Sequence, residues 1–354
     1  MKTNKFIYFV LFMSLFLCSY PDQALAKGES SNLGYSVSAV HNGKQIDPEK
    51  SYFYIQTVPG QEQVLKVNVR STQKEPIKIK VYTTNAYTGD GGTIEYTEDE
   101  KVLDPTLVQP ISSIVEVETP SITVENYEEK EATFKLMPPN ENYTGVKMGA
   151  LVFELDDAES KEQVSSKFSY RIGLITSETG DDYRDAKTLN LLEAKSTLKL
   201  GKKMILATLQ NPEPKILGDL EITAEVKEKD KQTILKKKNV TNYSVAPNSH
   251  FEFEIDWGTG AVKAGTYTIV MNANNGYSDW QFEKDFTITG DQAKKMNEES
   301  SFNIITPIWI KVGTIVLMVA LVVIVFFILI RRKKMETTWK IRRKKRKKKK
   351  KERR

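Results

Sequence analysis

Between residues 30 and 290, apolar and polar positions alternate with a period of two, in short runs separated by turn residues. Leu65, Val67 and Val69 stand between polar neighbours, as do Ile77, Ile79 and Val81. The same spacing recurs in Phe168-Tyr170-Ile172-Leu174, Leu220-Ile222-Ala224-Val226, Phe251-Phe253-Ile255-Trp257 and Tyr267-Ile269-Met271. Alternation over this length, rich in β-branched and aromatic residues, predicts strands with one buried face. Asp47-Pro48, Pro59-Gly60, Gly89-Asp90-Gly91-Gly92, Asp104-Pro105, Pro138-Pro139, Asn211-Pro212 and Asn274-Asn275-Gly276 supply the turns. Only Asp185 to Lys199 reads as a short helix. Many short antiparallel strands with frequent turns predict an all-β ectodomain of two tandem immunoglobulin-like β-sandwich domains.

The polar run Asp156 to Gln163 divides the sandwiches, at 33–157 and 163–290, each about 130 residues long. The strand at Phe168–Leu174 fits either half. If it completes the first sheet, the linker moves towards Thr179–Asp185, and the pattern leaves both open. A polar stalk occupies 291–307; from Asp291 to Asn303 it reaches at most about 45 Å.

Two apolar runs break the alternation. Residues 1–26 read as a signal peptide: Lys2 and Lys5, an apolar core from Phe6 to Cys18, then an Ala24-Leu25-Ala26 cleavage site. That core is too short to span a bilayer. Val312 to Ile330, by contrast, has no charge and would extend about 28 Å as a helix, close to the hydrocarbon thickness. The segment 308–330 is therefore a single transmembrane helix. Trp309 and Lys311 mark its outer edge, and Arg331-Arg332-Lys333-Lys334 place the tail 331–354 in the cytoplasm.

Charge changes the picture only when divided. Residues 331–354 carry 17 Lys/Arg against two acids, whereas residues 27–303 carry 32 Lys/Arg against 43 Asp/Glu. The overall +6 is thus an acidic exterior joined to a basic tail, and no nucleic-acid partner is expected. The tail from Lys340 to Arg354 suits anionic lipid heads, but a stop-transfer anchor with a disordered end is the plainer account. Cys18, the only cysteine, leaves with the signal peptide; Leu17 before it argues against lipidation. An exported domain without a disulfide points to a Gram-positive surface.

Catalytic chemistry is sparse. The histidines are His41 and His250 only, too few and too far apart for an ordinary zinc site. His250 reads as an exposed strand-edge residue rather than a triad base. Neither cofactor nor metal is expected, and the chain reads as a non-enzyme. The Gly89–Gly92 turn lacks a following Lys-Ser/Thr and reads as a hairpin, not a phosphate cradle. Tyr82, Tyr87 and Tyr96 cluster around it and are the candidate ligand-binding residues, through rings stacked on sugar faces. Cross-strand packing is the competing use of such rings.

An ordered set of segments carries a resemblance. In the first half these are Tyr52-Phe53-Tyr54, Pro59-Gly60-Gln61, Val64 to Val69, Asn85-Ala86-Tyr87-Thr88, Gly92-Thr93-Ile94-Glu95-Tyr96, Asp104-Pro105-Thr106-Leu107, Met137-Pro138 and Tyr143-Thr144-Gly145. In the second half they are Ala246-Pro247-Asn248-Ser249, Phe251-Phe253-Ile255, Ala264-Gly265-Thr266-Tyr267 and Trp280 with Phe286-Thr287-Ile288. The chain resembles the WxL-interacting proteins of Gram-positive bacteria, its first half their peptidoglycan-binding domain and its second half their host-binding domain. Met148-Gly149-Ala150 departs from the Gly-Gly pair more usual there. The resemblance implies a membrane-anchored cell-surface scaffold at the cell wall. Its implied partners are WxL-domain surface proteins, peptidoglycan and a host extracellular-matrix protein, the last making an adhesin the alternative reading. Without the resemblance, Ala246 to Ser249 reads as a turn leading into a strand.

Overall fold

The computed structural model describes residues 34–96, 102–156, 168–302 and 308–351. The signal peptide at 1–26 and most of the Asp156–Gln163 break lie outside them.

The first sandwich contains β1 (Tyr35–Val40), β2 (Phe53–Gln56), β3 (Gln63–Ser71) and β4 (Ile77–Asn85). A small hairpin follows, β5 (Tyr87–Thr88) and β6 (Ile94–Glu95), then one helical turn, α1 (Ile111–Ile114). The sandwich is completed by β7 (Val115–Val117), β8 (Ser121–Val124), β9 (Glu129–Leu136), β10 (Lys147–Leu155) and β11 (Ser169–Ser177). Its two sheets run β1-β3-β9-β7 and β2-β11-β10-β4-β8. In β3, Leu65, Val67 and Val69 point inward and are essentially unexposed, as the alternation requires. Phe134 on one sheet meets Phe153 on the other edge-on, with centroids 6.1 Å apart.

The second sandwich contains β12 (Asn190–Lys199), β13 (Lys202–Asn211), β14 (Leu217–Glu228) and β15 (Ile234–Val245). β16 (Ser249–Asp256), β17 (Gly265–Asn274) and β18 (Asp279–Ile288) complete it. Its sheets run β12-β13-β16 and β15-β14-β17-β18. Phe251, Phe253, Ile255, Ile222, Ala224, Ile269 and Met271 fill the space between them.

One strand that the pattern left open finds its place, and three expectations need correction. β11 pairs with β10 and, in parallel, with β2, so it completes the first sandwich rather than opening the second. The crossing between sandwiches therefore follows Ser177. Asp185–Lys199 is not a helix. From Asn190 it is an edge strand hydrogen-bonded to β13, closed by Leu200 and Gly201 at φ 50° and 74°. Two successive positive φ values make the hairpin turn that suits strand twist, and the ladder overrides the helix propensity of Glu, Ala and Lys.

The stalk is also largely structured. Residues Gly290–Glu299 form α2, capped by Thr289, whose hydroxyl accepts from Gln292 N while the Gln292 side chain accepts from Thr289 N. Ala293 and Met296 are buried in the second core. The Asn297 amide makes two 2.8 Å bonds to the Val262 backbone. Finally, α3 (Ile308–Lys351) runs unbroken through the basic tail, where a disordered end was expected. Lys and Arg are good helix formers, and Thr337 and Thr338 bond back to the preceding turn. Among the described residues this is the one helix long and apolar enough to cross a membrane.

Candidate functional site

The two sandwiches meet through side chains that the alternation places on the outside of the first. β10 is buried on both faces. Leu151 and Phe153 point into the core, while Met148, Ala150 and Val152 point outward and are equally hidden. Met148 joins Tyr54, Ala86, Val146 and Ile175 in an apolar cluster with Ile216 and Ala246 of the second sandwich.

The β5–β6 hairpin hooks this junction together. Gly92, at φ +71°, ends its turn and lies flat against the Tyr243 ring, where a Cβ would collide with ring carbons. Its carbonyl accepts from Ser244 N at 2.8 Å. The Thr88 hydroxyl accepts from Ala246 N at 2.9 Å and lies 2.5 Å from the Ser249 hydroxyl. Lys199 reaches Asp90 at 2.5 Å and Glu254 at 2.6 Å. Burial alone would lower the Lys199 pKa, but those carboxylates outweigh it and raise it. The Ala246–Ser249 turn is therefore the receptacle for the hairpin. Asn248 supports it in the left-handed region (φ 47°), donating to Pro212 O at 2.7 Å.

Asp104 locks a second point. Its side chain is fully buried and accepts from Gln210 at 3.0 Å and from the Thr106 hydroxyl at 2.6 Å. It also lies 2.8 Å from His250 Nδ1. Desolvation by itself would raise the Asp104 pKa, but these hydrogen bonds hold it below the usual carboxylate range. His250 is thus half-buried and bonded across the junction, not an exposed strand-edge residue. The neighbouring Ser249 hydroxyl is engaged by Thr88 and Ala246 O rather than by the imidazole.

The three sequence-chosen tyrosines do not form one site. The Tyr82 hydroxyl donates to Glu154 at 2.8 Å, and Tyr82 is half-buried on β4. The Tyr87 hydroxyl donates to Glu95 at 2.9 Å, and its ring lines a groove of about 840 Å³ beside Asp104, Lys199 and His250. Tyr96 lines a different groove, of about 510 Å³, on the outer face of β11.

That second groove was missed by sequence reasoning, because its walls come from distant segments. Tyr52, Tyr96, Tyr170 and Tyr183 surround it, with Arg171 and Arg184. All four rings are half-buried and both guanidinium groups are exposed. Burial, then a hydrogen bond to the Tyr183 side chain, pushes the Tyr52 hydroxyl up to about 12. Burial also raises that of Tyr96. Arg171 Nε donates to Tyr96 O at 3.0 Å, and Arg184 lies over the Tyr183 ring at 5.9 Å. Such a wall can stack on apolar faces and bind an anion. Among the described residues no group of three or more His, Cys, Asp or Glu is placed to hold a metal.

Comparison with known families gives two matches in tandem. Residues 35–155 match the WxL Interacting Protein, peptidoglycan binding domain, and residues 159–298 match the WxL Interacting Protein, host binding domain. No curated protein matches the chain. Solved structures are similar only at a low level. The class 5 fimbriae chaperone CfaA is 15% identical over 70% of this chain and 99% of its own, with a TM-score of 0.28. The Pseudomonas aeruginosa CupB2 chaperone is 14% identical over 64% and 92%, with a TM-score of 0.25. The E. coli chaperone DraB is 14% identical over 66% and 94%, with a TM-score of 0.26. Likeness at this level supports no inference about function.

Proposed function

The chain belongs to the WxL-interacting protein family, and from that membership we propose that it is a non-enzymatic scaffold anchored in the membrane of a Gram-positive cell. It binds peptidoglycan and holds WxL-domain proteins at the surface. One observation carries the reading: a peptidoglycan-binding and a host-binding domain match in tandem over 35–298, ahead of an apolar helix. Both matched families are binding modules, which indicates a non-enzymatic role.

Topology supports the same reading. The basic residues after Ile330 favour a cytoplasmic C-terminus, leaving both sandwiches outside. Docking of α2 on the second sandwich leaves only residues 303–307, at most about 18 Å of chain, before α3. The second sandwich is then held against the membrane, with the first towards the wall.

The test is co-sedimentation of the full chain, in nanodiscs, with purified sacculi and separately with a purified WxL-domain protein. Retention by both is expected, and retention by neither ends the reading. The host-binding match over 159–298 favours a second reading, an adhesin for a host matrix protein. Binding to immobilised matrix protein but not to sacculi would select it.

A further inference from the structure

Gly173 sits in the middle of β11, where glycine weakens a strand and most residues would serve better. The fold does not demand it. Its φ is not among the positive values, and a Cβ there would meet nothing closer than Tyr52 Cβ at 3.5 Å, an ordinary contact. Gly149, one strand away, is the contrast. A Cβ at 149 would drive into Thr84 O and the Ile111 side chain, so packing requires glycine there. At 173 the missing side chain instead leaves open space on the floor of the 510 Å³ groove.

The groove also departs from the surface around it. Residues 27–303 are net acidic, yet the charged groups lining this groove are two arginines and no carboxylate. Asp47, Asp181 and Asp182 lie close enough to influence Tyr52 and Tyr54 but are not part of the lining. Half-buried phenol rings offer apolar faces at small cost in conformational entropy, and guanidinium groups match carboxylates.

We propose that this groove is a glycan-binding cleft that takes an amino-sugar chain across the Gly173 floor, with sugar faces on the tyrosines and a carboxylate of the peptide attached to the sugar on Arg171 and Arg184. The inference rests on the peptidoglycan reading above and locates its site. The cleft is shared: Tyr52 and Tyr96 come from the peptidoglycan-binding match, whereas Tyr170, Arg171, Tyr183 and Arg184 fall within the host-binding match.

The experiment uses the full chain in nanodiscs, with sacculi and with two soluble probes. One probe is the N-acetylglucosaminyl-N-acetylmuramoyl disaccharide bearing its stem peptide, whose carboxylates are free while the lactyl carboxyl is amide-bonded as in the wall. The other is chitobiose, which carries no carboxylate. Gly173→Leu fills the floor while favouring the strand, so it should keep the wild-type melting temperature and weaken muramyl-disaccharide binding at least tenfold. Arg184→Gln, on an exposed side chain, should erase the preference for the muramyl disaccharide over chitobiose. Wild-type binding of sacculi with Gly173→Leu equally competent overturns the cleft alone. So does equal affinity of the wild type for the two disaccharides. Failure of the wild type to bind sacculi overturns the peptidoglycan reading, and the cleft with it. If Gly173→Leu melts early, Arg184→Gln and the smaller Gly173→Ala decide the matter, since neither disturbs packing.

Discussion

Gly92 is the residue on which the union of the two sandwiches most depends, and Gly91 beside it provides the control. Alanine at 92 must hold φ near +71°, which costs an L-residue about 1–2 kcal/mol. Its Cβ also falls on the Tyr243 ring, which packs against Phe251 and Phe253 with centroids 6.1 and 6.2 Å away. The ring cannot retreat without disturbing that core, and overpacking of this kind costs about 1–3 kcal/mol. Displacing the hairpin also loses the Ser244 N to Gly92 O bond, about 1 kcal/mol. Together the loss is about 3–6 kcal/mol, unless the hairpin lets go and the sandwiches uncouple. Alanine at 91, by contrast, meets nothing within 4 Å. Scanning calorimetry should therefore show one transition for wild type and for Gly91→Ala. Gly92→Ala should melt about 10 °C lower or split into two transitions. A Gly92→Ala trace superimposable on wild type would mean the hairpin does not couple the sandwiches.

Further outcomes follow from the same geometry. Asp104→Asn should destabilise the junction by about 2 kcal/mol at neutral pH, as charged hydrogen bonds to Gln210, Thr106 and His250 weaken. Because the folded-state pKa of Asp104 is lowered, its contribution is complete above the unfolded carboxylate value, about 4, and fades as pH falls through the lower folded value. Melting temperatures from pH 7 to pH 2 should thus converge for wild type and variant at the acid end; a constant gap would refute this. Met296→Ala should cost about 2–4 kcal/mol and Thr289→Ala about 1 kcal/mol in urea melts if α2 is docked, and nothing if 291–302 is a free stalk. Alkaline carbonate should leave the native protein in the membrane pellet, since Val312–Ile330 is uncharged throughout and overwhelmingly apolar.

What could be read from the chain was what depends on local periodicity. β3, β4, β14, β16 and β17 each bury one face, so their alternation is written in single residues and survives in the structure. Asn190–Lys199 was misread because Glu193, Ala194 and Lys195 favour a helix in isolation. The strand there exists through its partner β13, which no local pattern reports. One local signal was available: Leu200-Gly201 sits between two runs that become strands, as an Xaa-Gly hairpin turn does. The docked α2 had a legible cap as well, Thr289 followed three residues later by Gln292. Its two buried residues, Ala293 and Met296, were too few to stand out.

The candidate site was illegible for a different reason. Its pieces alternate correctly for a polar outer face, and only the second sandwich and the β5–β6 hairpin convert that face into an interior. Met148, Ala150 and Val152 give the one hint: together with Leu151 and Phe153 they make a continuous apolar run, the sign of a strand covered on both sides. The tyrosines chosen by proximity in sequence separated, because successive strand residues face opposite ways and the turn carries Tyr87 and Tyr96 to opposite flanks of the hairpin. What replaced them is a groove whose rings lie more than a hundred residues apart in the chain, from Tyr52 to Tyr183. It follows that dividing the protein at the boundary between its two family domains would cut the groove as well as the junction. The Tyr52 and Tyr96 side would be left without either arginine.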